Sequence, residues 1–564
     1  MSSAPSFSRA STVSQWLSAL EKPTLVPSLR TAYGDRPILL RERAALLRET
    51  LEAYRVRFGD TPVRVFRAPG RVNVRGMHVD THGGWLNLMT HQREVTLIAG
   101  PSGSDGNFLA NVAADFAPME FSLSEELAGA SPDEDWHALI SRPEIRARVS
   151  RRTTAPGMGW RNYLVGAALR TQWQYPDVSL SGLNIMVHSD LPRGAALSSS
   201  AALSLAALLA FAHCNSCIPS PEPLIAAEQD VEWYAGARVG MSDQTAILLG
   251  RQYALLHIAL FAEDFSLESA QYLPFPDALD LLVVNSYTTR NLSGPQRLQY
   301  ALNRFAYSMA IPIVRAELLR NGHAPGHVER MDRLARMTAD AFGGVAALYR
   351  LLKGVPENMA IKTLREHYRL PMLDEAYARY FDGLPREQQP TTVPLRGPLL
   401  FGMAESERAR VFPELLRTGD YARAGALMTI GHDGDRVRAR DGARFNPDIS
   451  DATLETLARC ASPLEQQSGA YGASSPALDM VVDAALDAGA LGASLTGAGI
   501  AGAVLVLCRK SDSARITRAV WDRLRREDYA SLAGLTGPLS DNEIHKAVVA
   551  NQATAGACEL TLTP

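Results

Sequence analysis

LSGLNIMVHSDLPRGAALSSSAALSLAALLAFAH, residues 180–213, is the stretch on which the fold turns. Its first part, LSGLNIMVHSDLP at 180–192, alternates apolar and polar side chains like a strand. RGAALSSS follows as a turn of small residues, and the apolar run to 213 has the length of a buried helix. It is too short for the ~20 residues that cross a bilayer. Strand, turn and helix start together form an anion-binding geometry. Free N–H groups at a helix N-terminus hold phosphate oxygens, and a serine hydroxyl reaches a magnesium ion. Taken alone, the same letters are better read as a serine-capped helix on a packed turn.

The chain around this stretch has 564 residues, which at roughly 100–200 per domain implies several domains. Hydrophobic residues make up 46 % and charged ones 21 %, with 42 Gly and 33 Pro, so collagen-like, coiled-coil and disordered readings are excluded. The net charge of −3 gives no overall field toward nucleic acid or anionic membrane, and a small-molecule partner is expected instead. Five scattered cysteines argue against a disulfide framework and for a reducing compartment, taken here as the cytoplasm. The lone Cys214–Cys217 pair has no second pair to complete a metal site.

Residues 1–60 read as a Ser-rich leader and a helix, with Leu39, Leu40, Ala44, Leu47, Leu51 and Tyr54 at helical spacing. β-rich pieces start near Pro62. DLLVVNS at 280–286 is a buried-strand candidate, most of 296–353 and 401–430 is amphipathic helix, and ALGASLTGAGIAGAVLVLC at 490–508 is the last strand-and-turn signal. The expected division is an N-terminal helical extension at 1–60, one domain at 61–275, a second with a helical insertion at 276–510, and a C-terminal extension at 511–564.

Two other segments share the small-residue character of 192–203: RAPGRVNVRGMHVDTHGG at 67–84 and LTGAGIAG at 495–502. In this order and spacing the three resemble the GHMP kinases, specifically the galactokinase branch. Ala68, Pro69, Gly70, Arg71, Val72, Asn73, Gly76, His78, Asp80, Gly83 and Gly84 match an APGRVNLIGEHTDYNGG-like start. WRNYLVGA at 160–167, GMSDQ at 240–244, VVNS at 283–286, GALMTIGHDGD at 425–435 and SSPALDMVV at 474–482 are similar to further elements of that branch.

The resemblance implies an α+β protein, a two-domain GHMP kinase fold binding ATP, Mg2+ and a sugar between the domains. It implies phosphorylation of the anomeric hydroxyl of a galactose-configured sugar, with a sugar- and ATP-binding sensor or regulator as the alternative. Asp243 matches the catalytic aspartate that takes or orients the hydroxyl proton, and Arg71 the arginine that stabilises the reacting groups. Pro192, Gly194, Ala195, Leu197, Ser198, Ser199 and Ser200, with Thr496, Gly497, Ala498 and Gly499, fall on ATP-binding motifs. Asn73, Met77, His78, Asp80, Gly240 and Tyr300 fall on the sugar-binding ones.

Four departures stand out. Counting five back from Gly236 puts Val231 where relatives hold a magnesium-binding glutamate, so the expected metal residues are Ser200 and Glu228, with Asp230 and Glu232 pointing elsewhere on a regular helix. Ala196 replaces a usual glycine. Met77 replaces the glutamate that contacts the sugar 6-hydroxyl, and Arg75 replaces an apolar residue. If Met77 lines the carbon-6 pocket, the fitting sugars are galacturonate, whose carboxylate would seek Arg75 or Arg93, then L-arabinose, then galactose.

Overall fold

The computed structural model describes residues 10–127, 129–130, 134–192, 194–288, 295–370, 372–381 and 384–562. Its larger sheet has nine strands, in the order Ser11–Thr12, Pro62–Arg75, Trp85–Pro101, Leu183–Ser189, Gly106–Asn111 and Met119–Ser122. Cys558–Leu560 pairs with Pro62–Arg75, while Ala254–Ala259 and Gln271–Pro274 extend from Trp85–Pro101. All pairings are antiparallel except Gly106–Asn111 with Leu183–Ser189. The expected strand of 180–192 is therefore an inner strand of this sheet.

The helix Ser199–Cys214 is apolar all round because it is enclosed all round. It lies between the sheet and the helices Arg161–Gln174 and Pro221–Ala235. Gly166 lets these last two approach: a Cβ there would stand 2.8 Å from Tyr234 and 3.2 Å from Val231. Pro37–Phe58 covers the opposite face, burying Leu39, Leu47, Leu51 and Tyr54 against Val63, Val65, Ile98 and Met186.

The second sheet runs Gly492–Thr496, Ala503–Arg509, Leu279–Asn285, Val548–Ala550, all antiparallel. Helices Pro476–Asp487, Ser513–Leu524 and Glu527–Ala533 pack with it in one apolar cluster. A helical body including Pro295–Arg320, Val345–Leu352, Leu373–Phe381, Arg396–Thr418 and Asp451–Cys460 forms a separate core.

The chain ends do not behave as appendages. Residues 511–564, expected as an extension, supply Val548–Ala550 to the second sheet and Cys558–Leu560 to the first. The N-terminal segment adds Ser11–Thr12 as an edge strand. One buried cluster joins these pieces: Arg67 donates from Nε to Glu94 at 2.6 Å and from Nη1 to the carbonyls of Ala555 and Gly556, and Tyr33 donates its hydroxyl to the same Glu94. With the guanidinium fully buried and the carboxylate 1 % exposed, losing either partner would strand a charge in the core.

Candidate active site

All three small-residue segments meet at one cleft of about 350 Å³. The first arrives on Pro62–Arg75, which shifts register between Pro69 and Arg71. Gly70 is required at that bend, since a Cβ would fall 2.5 Å from Leu191 and 2.9 Å from the Leu197 carbonyl. The close approach lets the Arg71 N–H bond that carbonyl at 3.2 Å, tying the arginine to the second segment.

Arg71 and Asp243 form the centre. Arg71 Nε and Nη2 each lie 2.7 Å from Asp243 Oδ1, and Nη1 donates to the Ala196 carbonyl. Asp243 begins the helix Ser242–Leu249, and its other oxygen accepts from the Ser198 hydroxyl. Ser242 donates to Asp80 at 2.8 Å and stands 3.4 Å from Asp243 Oδ1, linking the two carboxylates. Gly240 admits Asp80: a Cβ there would be 2.1 Å from its Oδ2.

Pro192, Gly194, Ala195, Ala196, Leu197, Ser198, Ser199 and Ser200 line one side at the N-terminus of Ser199–Cys214, and Gly497 and Ala498 face them. Asn73, His78, Asp80 and Gly240 line the sugar-side positions. Thr496 and Gly499 do not line the cleft. Thr496 is buried and bonds both the N–H and carbonyl of Asn73, while Gly499 packs against the Ala473 carbonyl. Tyr300 falls within Pro295–Arg320, and its side chain lies outside the described residues.

Two expectations are overturned. Met77 does not line the cleft: it is 2 % exposed and packs with Leu282, Val284 and Val481 under the second sheet. The backbone turn at Gly76, with φ 95°, and at His78, with φ 64°, sends His78 into the cleft and Met77 away from it. Arg75 is fully buried, paired with Glu405 at 3.4 Å and donating to Ser494 and to the carbonyls of Val74, Leu427 and Met428, so it offers nothing to a ligand.

The metal assignment also moves. Val231 faces Gly166 in the helix interface, and the next residue, Glu232, lines the cleft. Glu228, one turn earlier, is fully buried and does not line it. The Ser200 hydroxyl sits beside the Glu232 carboxyl and favours its charged form, and among the described residues Glu232 Oε2 is a buried acceptor with no hydrogen-bond partner. Burial raises the Glu232 carboxyl to about 7, opposed by the Ser200 hydroxyl and helped by Asp243. Two hard oxygen donors and an orphaned acceptor fit a divalent cation such as magnesium. Among the described residues no three His, Cys, Asp or Glu gather to hold a metal, so such an ion would draw its other ligands from phosphate and water.

Tyr163, Arg304 and Tyr471 are among the lining residues that sequence reasoning did not single out. Tyr163 stands in the quoted WRNYLVGA motif and lines the cleft with Ser200. Tyr471 stacks on His78 at 4.5 Å, and Arg304 reaches the cleft from Pro295–Arg320. Motif signal was available only for Tyr163, since Arg304 and Tyr471 are brought in by the helical body.

Comparison with known proteins accords with this geometry. Residues 162–251 match the GHMP kinases N terminal domain, 449–525 the GHMP kinases C terminal, and 52–101 the galactokinase galactose-binding signature. The chain is thus similar to the GHMP kinases. Among them the likeness is to galactokinases. It is 26 % identical to the galactokinase of Roseiflexus sp. (strain RS-1) over 82 % of this chain and 88 % of that one, and 26 % identical to that of Streptomyces coelicolor over 86 % and 94 %. A GHMP kinase fold is also seen in the crystal structure of Lactococcus lactis galactokinase complexed with galactose, which is similar with a TM-score of 0.59 and 18 % identity, covering 90 % of this chain and 98 % of that one. Among the described residues no helix is long and apolar enough to cross a membrane.

Proposed function

We propose that the protein is an ATP-dependent sugar kinase, transferring the terminal phosphoryl group to the anomeric hydroxyl of a galactose-configured sugar, galacturonate ahead of L-arabinose and galactose. The observation that carries this reading is the Arg71–Asp243 pair at 2.7 Å, set between a helix N-terminus and the Asp80 and His78 side chains. Phosphoryl transfer needs positioning and charge neutralisation more than covalent help from the protein. Asp243 accepts the proton of the attacking hydroxyl, held in place by Arg71 and the Ser198 hydroxyl. Arg71 also lies within reach of the transferring group, where charge shifts during transfer. The N–H groups at Ser199 and Ser200 hold phosphate oxygens. Ser200 and Glu232 would hold Mg2+, which neutralises phosphate charge when bound.

The regulator alternative rested on Val231 and Met77 as losses. Glu232 supplies the carboxylate that Val231 lacks, and Met77 takes no part in the cleft. For the acceptor, Arg75 is engaged elsewhere and Arg93 reaches toward the Lys546 carbonyl outside the cleft. Arg304, which lines the cleft as Arg71 does and also donates to the Arg238 carbonyl, brings positive charge of the sign a uronate carboxylate needs. A screen of ADP formation with galacturonate, galactose, L-arabinose and glucuronate tests the proposal. Turnover highest with galacturonate supports it, turnover highest with another of these sugars reassigns the acceptor, and binding without turnover with all four overturns the kinase assignment.

A further inference from the structure

The turn that carries the acceptor-side residues is gripped from a distant helix. Glu405, on Arg396–Thr418, accepts through Oε1 from the Gly76 N–H at 2.7 Å and the Met77 N–H at 3.2 Å. Its Oε2 accepts from Arg408 at 2.7 Å and Arg75 at 3.4 Å. The carboxylate is 1 % exposed and both guanidiniums are fully buried. Burial alone would raise the Glu405 carboxyl, but the two arginines outweigh it and hold it below the usual range.

The grip falls where the backbone most needs it. Gly76 has φ 95°, and a Cβ there would lie 2.3 Å from the Trp85 carbonyl. His78, two residues on, holds φ 64°, a left-handed conformation that a side-chain-bearing residue keeps only when its surroundings enforce it. From the same side of the molecule Asp435 stands 3.4 Å from His78 Nε2 and Tyr471 stacks on its ring. Gly431 leaves room for the arrangement, since a Cβ there would be 2.2 Å from Arg75 Nη1.

We propose that Glu405, which lies outside the cleft, is a positioning residue that sets the conformation of the 76–80 turn and thereby aims His78 and Asp80 at the acceptor. The inference rests on the proposed sugar-kinase reading. It separates two properties of the carboxylate, its reach to two amides and its charge toward two arginines.

Two variants distinguish them. Glu405→Asp keeps the charge and withdraws the oxygen by one methylene from the amides. Glu405→Gln keeps the reach and removes the charge. KM for the acceptor, KM for ATP, kcat and the thermal midpoint are measured for each, using the sugar that the wild type turns over best. Positioning predicts that Glu405→Asp raises the acceptor KM by roughly tenfold or more while the ATP KM stays within about twofold, and that Glu405→Gln lowers the thermal midpoint yet keeps the acceptor KM within about threefold. The opposite ranking of the two variants, or acceptor and ATP KM rising together in Glu405→Asp, overturns the inference and leaves the kinase reading standing. A wild type that turns over no sugar overturns both.

Discussion

Asp243 accepts from the Arg71 guanidinium and from the Ser198 hydroxyl. Asp243→Asn keeps its shape but leaves it a poor proton acceptor, so turnover should fall by about 10²–10⁴ while ADP affinity, read by calorimetry, stays near wild type. Glu232 gives a pH signature. Its carboxyl, about 7 in the folded protein, must lose its proton to take a cation, so the affinity for Mg2+ with ADP should rise with pH up to about 7 and then level. Binding should release a proton, measurable in buffers of different ionisation enthalpy, and Glu232→Gln should abolish both effects. The same shift has a stability sign. A carboxyl whose folded value exceeds its unfolded one stabilises below the unfolded value of about 4.5, and that contribution is lost as pH rises through about 7. Metal-free Glu232→Gln should therefore lose less stability than wild type between pH 5 and pH 8. Urea midpoints at these pH values measure this, and parallel pH dependences would contradict it.

At the level of elements, Ala196 occupies a tight turn between the second and third segments. Its φ is 56°, and its methyl is close to Gly497 and Gly502, where a further Cβ would fall 3.1 and 2.5 Å away. Ala196→Gly should relieve the left-handed conformation, stabilising the protein by about 1 kcal/mol in denaturant titration. Gly502→Ala should do the reverse and more strongly. The three motifs were legible from sequence because short runs of small residues leave a local signature, while their meeting at one cleft was implied only by the family resemblance. The helix Pro221–Ala235 was legible too, yet the residue facing the cleft was missed by one position. Val231 and Glu232 stand about 100° apart on a helix, and only the packing of Val231 against Gly166 fixes which of them turns inward. Met77 failed for a related reason. Its place at the cleft came from matching the family's glutamate position, whereas the positive φ at Gly76 and His78 turns this side chain into the core.

For the whole molecule, the sheet strands of 62–101 and 183–189 could be read from pattern, but the threading of the two chain ends could not. Nothing local in Cys558–Leu560 announces that it pairs with Arg67, Phe66 and Val65, close to the other end of the chain. Arg304 and Tyr471 were likewise hidden, because their place in the cleft depends on how the helical body docks. The Arg67–Glu94 pair tests that integration. Arg67→Ala leaves Glu94 buried with only the Tyr33 hydroxyl, and should cost about 3–5 kcal/mol of unfolding free energy in a chemical denaturation curve. The central claim, ATP-dependent phosphorylation of a sugar's anomeric hydroxyl, is tested most directly by phosphorus NMR of the protein with ATP, Mg2+ and each sugar of the screen. A new resonance coupled to the anomeric proton, growing as ADP forms and absent with Asp243→Asn, is the predicted result. ATP cleaved only to free phosphate, phosphate on another sugar oxygen, or equal product from Asp243→Asn would contradict the account.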